Sequence, residues 1–229
     1  MPPTVIDLEP KHIPAAAQVL AAAFRDDPLF RYIYADFDRY DRAAPWMFGT
    51  WTAWAIRYGR AWGTPGLEAV ALRRPPGTYQ MSLWSMVRAG MLPAPVRMGW
   101  AAFNRLERFV AAAERAHNEI MGDRPHWYCQ NVATAPAEQG KGFGAAVMGH
   151  TFALADADHL PCYIETETER AMAVHRHFGY ELQRRVEVPG TDFHFFVMVR
   201  PPGPTTVPAG VRVTGARAGD GGRVTGESG

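Results

Sequence analysis

Apolar positions along the chain switch repeatedly between strand and helix spacing. Val5–Leu8 reads as a short strand, and Ile13, Leu20 and Phe24 then fall on or near one face of a helical stretch that breaks at Pro28. A tryptophan-rich helix is predicted over 45–58. The Gly59–Gly66 region then introduces a strand over 68–72, which ends at Pro75-Pro76-Gly77. Phe103, Leu106 and Val110 recur at helical spacing, flanked by Arg105, Glu107 and Arg108, which predicts a long helical arm lying over the domain. From His126 the pattern becomes a strand (127–132), a loop (133–138), a glycine-rich turn, and a helix whose inner face would carry Phe143, Val147, His150 and Leu154. A strand over 162–165, a helix over 169–178, and strands over 182–188 and 193–199 follow, the last two joined at Pro189-Gly190 in a hairpin.

This pattern predicts one domain over residues 1–200. From Pro201 onward Gly, Pro, Arg, Thr and Ser dominate with almost nothing to bury, so residues 201–229 are expected to form a disordered Gly/Pro-rich tail. The 229 residues are 47% hydrophobic and 21% charged, which is the balance of an ordinary globular chain. Basic and acidic residues nearly cancel, 24 against 23, so no field favours nucleic acid or anionic lipid and a small partner is expected. The Met-Pro-Pro-Thr start lacks a signal peptide's basic and apolar regions, and 15–24 is too short to span a bilayer, so a cytoplasmic protein is expected. The two cysteines, Cys129 and Cys162, lie in apolar strand-like runs and read as buried free thiols, with a structural disulfide as the alternative.

Gln139-Gly140-Lys141-Gly142-Phe143-Gly144 places three alternating glycines where a loop enters a helix. Glycine permits a tight turn with uncovered amides, and the helix start adds unpaired N–H donors, so the turn suits a pyrophosphate. A glycine-rich connection that binds nothing is the plainer alternative. A P-loop is excluded, because Gly142 rather than Ser or Thr follows Lys141 and Ala135 occupies the position of its first glycine. Gly140, Gly142 and Ala145 match a dinucleotide fingerprint with Glu165 downstream. However, residues 135–138 separate the turn from its strand, and too little chain remains for a doubly wound sheet.

The stretch Val132–Gly144 resembles the acetyl-CoA motif of the GNAT superfamily of N-acetyltransferases, its signature filled by Gln139, Gly142 and Gly144. Four further stretches are similar in order and spacing to the puromycin N-acetyltransferase family and its actinobacterial relatives: His126-Trp127-Tyr128, Tyr163-Ile164-Glu165-Thr166, His177-Phe178-Gly179-Tyr180 and Val186-Glu187-Val188-Pro189. Ala22-Ala23-Phe24 resembles the same family's first helix.

The resemblance implies an α/β (α+β) GNAT fold: a mixed, mostly antiparallel central sheet, splayed between strands 4 and 5 and flanked by helices. It implies acetyl-CoA as co-substrate, with the backbone of Val132, Ala133 and Thr134 along the pantetheine arm and Gln139, Gly140, Lys141, Gly142, Phe143 and Gly144 around the pyrophosphate. The implied activity is transfer of an acetyl group to an amine of a small molecule, with a peptide or lysine acceptor as a variant. The implied partners include no metal, nucleic acid or membrane.

Two positions depart from the family pattern. His175 stands where a tyrosine usually donates the proton, and Ala171 stands where an asparagine usually meets the cofactor. An imidazole with an ordinary pKa near 6.5 would be protonated at modest cost, so His175 is the candidate acid, with a surface histidine as the alternative. These departures also leave open a CoA-binding regulatory protein with little turnover. Glu165, at the end of the fifth strand, is the candidate base, set against a solvated carboxylate in the run Glu165, Glu167, Glu169; His126 is a weaker candidate. Trp84, Met86, Met91, Met98, Trp100 and Phe103 are expected either to cover an apolar acceptor site or simply to pack.

Overall fold

The computed structural model describes residues 3–203; the tail expected from residue 201 lies outside the described residues apart from Pro201-Pro202-Gly203. The chain runs β1 (Ile6–Asp7), α1 (Ile13–Ala23), α2 (Pro28–Ile33), α3 (Phe37–Tyr58), β2 (Arg60–Gly63), β3 (Ala69–Arg74), α4 (Leu83–Arg88), α5 (Ala94–Met98) and α6 (Trp100–Ile120). It continues through β4 (Trp127–Thr134), α7 (Phe143–Ala157), β5 (Cys162–Thr166), α8 (Glu169–His177), β6 (Glu181–Glu187) and β7 (His194–Arg200).

The strands form a seven-stranded sheet in the order β1-β2-β3-β4-β5-β7-β6. Every neighbouring pair is antiparallel except β4 with β5, which is parallel. Alternation along each strand sends side chains to opposite faces, and here both faces are covered. From β3, Val70 and Leu72 join the core built on α1, α2 and α3, while Ala69 and Ala71 face α7. From β7, Phe195 and Val197 pack against Ala112, Ala113 and Ala116 of α6, and Phe196 and Met198 face the α7 side. The long arm read from the sequence is therefore α6, seated on the half of the sheet beyond β4.

Several elements differ from the sequence reading. The tryptophan-rich helix begins at Phe37, eight residues before Pro45, because the Asp36 side chain caps it by accepting from the Asp38 amide at 2.9 Å. Pro45 lies inside this helix and removes one backbone donor without ending it. The stretch 60–63, read as a connection, is β2, whose Ala61, Trp62 and Gly63 are buried. On α7 the buried face is Val147, Met148, Thr151 and Ala155; Phe143, His150 and Leu154, expected to point inward, are half-buried at its margin.

β3 extends through Arg74, past its expected end at Leu72, and a bulge at Leu72/Arg73 turns Arg73 into the core. Its guanidinium is fully buried, donating to Thr151 Oγ1 at 3.0 Å and to the Asn131 carbonyl at 2.6 Å.

Candidate active site

β4 and β5 share only two register pairs, Trp127 with Cys162 and Tyr128 with Tyr163. Beyond them β4 continues to Thr134 paired with β3 alone, so its other edge, from Cys129 onward, faces an opening wedge. A cavity of about 520 Å³ fills this wedge. Gln130, Asn131 and Val132 line one side, Ile164, Glu165 and Thr166 the other, with Ala171 and His175 of α8 also lining it. Phe30, Trp51, Met86, Met91 and Phe109 also line it, from the helical layer.

At the open end, four residues past β4, stands the glycine turn. Gly140 and Gly142 have φ of +78° and +87°, a region that side chains with a Cβ rarely adopt. A Cβ built on either would meet nothing within 4 Å, so the surface above the turn is clear. Gly142 is also the N-cap of α7, and no side chain caps that helix. The first-turn amides are left as free donors at the positive end of a fifteen-residue helix. Gly144 has a different role: a Cβ there would lie 2.8 Å from Thr134 Oγ1, so glycine lets α7 begin hard against the end of β4. Lys141 turns aside to pair with Glu138 at 2.9 Å. The free strand edge and the uncovered turn fit the pantetheine and pyrophosphate of acetyl-CoA. Ala133 points away into the core, and Val132 alone of the three expected strand residues lines the cavity.

Glu165 accepts a 2.7 Å hydrogen bond from the Tyr128 hydroxyl at Oε2, while its Oε1 is buried without a partner. Burial pushes its carboxyl up to about 7, against the pull of Tyr128, Tyr163 and Arg74. It is therefore not the solvated carboxylate that the acidic run also allowed.

His175 is 8% exposed, not a helix-surface residue. Its place is fixed by the end of α8. The amide of Tyr180 bonds the His175 carbonyl at 3.1 Å and that of Gly179 bonds the Arg176 carbonyl at 2.9 Å, with Gly179 at φ +84°. This is a Schellman ending, which explains the Phe178-Gly179-Tyr180 sequence and sets the His175 and Tyr180 rings 5.5 Å apart. Nδ1 of His175 is buried without a partner. Burial, reinforced by the charge of Arg73, holds the imidazole down at about 4. The protonated donor expected from its ordinary pKa gives way to a neutral ring at physiological pH.

Residues 87–180 match the acetyltransferase (GNAT) family. The chain is also similar to solved structures, among them the histone acetyltransferase HPA2 and related acetyltransferase of Corynebacterium glutamicum. That pair shares 23% identity over 90% of this chain and 100% of the other, with a TM-score of 0.62. The chain has the GNAT fold. Arylalkylamine N-acetyltransferase 2 of Aedes aegypti has the same GNAT architecture at 10% identity and a TM-score of 0.60, over 87% of this chain and 98% of that one. Polyamine N-acetyltransferase of Drosophila melanogaster aligns at 13% identity and a TM-score of 0.53, over 86% and 99%. In sequence, an N-acetyltransferase of Schizosaccharomyces pombe is 23% identical over 184 residues, covering 78% of this chain and 74% of that protein. The family match and the Schizosaccharomyces pombe relative support an acetyltransferase of the GNAT superfamily, and the solved structures share its fold.

Within this GNAT frame several cavity residues went unread in the sequence. Tyr128 carries the hydrogen bond to Glu165, yet on a strand it reads as packing. Arg74 donates to Gln130 Oε1 at 2.9 Å and to the Tyr79 carbonyl, and its guanidinium lies over the rings of Trp54, Tyr79 and Tyr128. Asp27 lines the cavity and also caps α2, accepting from the Leu29 amide at 2.9 Å; Asp-Pro at a helix start signals only the cap.

His126 sits apart from the cavity lining, its Nε2 2.9 Å from Nε2 of His117 and its Nδ1 2.7 Å from the Arg124 carbonyl. Of the apolar residues expected over the acceptor, Met86 and Met91 line the cavity, while Trp84 and Trp100 face solvent at 67% and 66% exposure. Cys129 and Cys162 are buried free thiols, with Cys129 Sγ 3.1 Å from the Tyr180 hydroxyl. No helix among the described residues is long and apolar enough to cross a membrane.

Proposed function

We propose that the protein is an acetyl-CoA-dependent N-acetyltransferase whose acceptor is an amine of a small molecule. The observation that carries this reading is the wedge itself: β4 parts from β5 after two register pairs, beside an uncapped glycine turn and above a 520 Å³ cavity. Acetyl-CoA supplies the acyl group as an activated thioester. The free edge of β4 at Val132 and Thr134, the turn Gln139–Gly144 and the first amides of α7 would hold it. The remaining work falls to side chains in the cavity.

Amines bind as ammonium ions, and the attacking nitrogen must first lose a proton. Glu165 takes that proton at Oε1, the oxygen left free by Tyr128. A carboxyl near 7 suits the task at physiological pH, being ionised often enough to accept and basic enough to compete. On the α8 side, neutral His175 offers an N–H through its unpartnered Nδ1. Arg73, buried with hydrogen bonds and in no ion pair among the described residues, adds a fixed positive field that favours negative charge developing at that end of the wedge. The aromatic and methionine walls exclude water from the reacting nitrogen.

Calorimetric titration with acetyl-CoA, followed by thiol release across a panel of amines, tests this. Saturable binding, lost in Gly142→Val, together with amine-dependent thiol release is the expected result. Binding without release by any amine would turn the reading toward a regulatory CoA-binding protein, and no binding would remove the cofactor assignment.

A further inference from the structure

The chain as a whole is nearly neutral, but the cavity is not. Asp27, Glu107, Glu114, Glu165 and Glu167 line it against a single guanidinium, Arg74. That cation is already committed to Gln130, the Tyr79 carbonyl and three aromatic rings. The ion pairs among the described residues engage other carboxylates, and none of these five takes part in one. Two further cavity side chains are at least nine-tenths buried and each holds a polar atom without a partner: Oδ1 of Asn131, 9% exposed, and Nδ1 of His175, 8% exposed. An orphaned amide oxygen calls for an N–H donor, as do the carboxylates.

We infer that the acceptor is a dication: an amine bearing a second ammonium or guanidinium group across an apolar spacer, with the distal cation received by Asp27 and Glu167. This rests on the acetyl-transfer reading above, which assigns Glu165 to the reacting nitrogen. Asp27 and Glu167 both line the cavity, and neither is in an ion pair among the described residues. Burial pushes the Asp27 carboxyl up to about 6, and burial together with the negative charge of Asp27 and then Glu165 pushes Glu167 well up. Two carboxylates facing one cavity without a cation repel each other, and a cation bound beside them is favoured. Glu107 and Glu114, exposed on α6, extend the same sign of charge around the cavity. Phe30, Trp51 and Met86 line the same cavity with largely apolar side chains, which suits a methylene or aromatic spacer.

The test compares 1,5-diaminopentane with 1-aminopentane, two acceptors that differ by one terminal ammonium, on wild type and on the Asp27→Asn/Glu167→Gln double variant. Asparagine caps a helix as well as aspartate does, so α2 keeps its start. The expected result is a kcat/KM at least tenfold higher for the diamine, with the ratio falling to about one in the double variant. Equal values in wild type, or a preference that survives in the double variant, would overturn the inference while leaving acetyl transfer intact. Should acetyl-CoA bind but neither of these amines turn over, the wider amine panel decides the acetyl-transfer reading and calorimetry with the diamine decides the inference. Saturable binding of the diamine, lost in the double variant, supports a dication site, and absence of binding overturns it.

Discussion

Glu165 and His175 illustrate how a fold shifts two residues that look ordinary in sequence in opposite directions. Burial raises the carboxyl to about 7 and lowers the imidazole to about 4, which suits the acceptor and neutral-donor roles proposed for them. Because Glu165 must lose its own proton before it can accept another, kcat should climb as pH rises through about 7. Glu165→Gln should lower kcat by about 10²-fold and abolish that ascending limb, whereas His175→Ala should lower kcat and leave the limb in place. A pH–rate series on the two variants checks both; a limb near 7 that persists in Glu165→Gln would remove it as the base. Legibility at this scale was uneven. Glu165 and His175 were singled out as candidates from their places in a resemblance, but the cavity-lining Tyr128, Asp27 and Asn131 and the buried Arg73 were not, because nothing local distinguishes such side chains from packed ones.

The short elements around the cavity owe their positions to their ends. α8 is only nine residues long, with just Met172 and His175 buried, and is held by Thr168 at one end and the Gly179 Schellman turn at the other. The Thr168 hydroxyl accepts from the Ala171 amide at 3.0 Å. Thr168→Ala should cost about 1 kcal/mol, or about 2–4 °C in melting temperature. Because the same cap orients the helix that carries His175, kcat should fall more than that small loss of stability would explain. Thermal melting and turnover measured together check this, and a melting shift with unchanged kcat would show that α8 is positioned from its C-terminal end alone. The caps at Asp36, Ser82 and Thr168 follow familiar helix-start chemistry. β2 was hidden by its four-residue length and by flanking glycines, and the bulge that turns Arg73 inward has no local signature.

At the scale of the whole molecule, the wedge between β4 and β5 is an unfinished region of the sheet. A strand edge that parts from its neighbour inside a protein leaves backbone groups that something must satisfy. A ligand that completes it should stabilise the fold as a whole, by about 2.7 kcal/mol at one hundred times its dissociation constant. For a chain of this size that corresponds to a rise in melting temperature of about 5–10 °C with acetyl-CoA, readable by differential scanning fluorimetry. The rise should vanish in Gly142→Val, whose side chain cannot comfortably adopt φ near +87° and would cover the first amides of α7. An unchanged melting temperature for wild type at saturating acetyl-CoA would mean that the wedge is not completed by this ligand.

The sequence by itself determined most of the element order, the glycine turn into α7 and the free state of both cysteines, since all of these depend on spacing and on residues within a few positions of one another. Resemblance placed the fold and the two catalytic candidates. Only the tertiary structure decided that β4 and β5 separate after Tyr128 and Tyr163, that Arg73 lies buried beneath the cavity, and that acidic side chains from α2, α6 and the β5 end converge on one space. The physical reason is distance along the chain. Asp27 and Glu167 are 140 positions apart and acquire a common charge environment only when the sheet and its covering helices close around them.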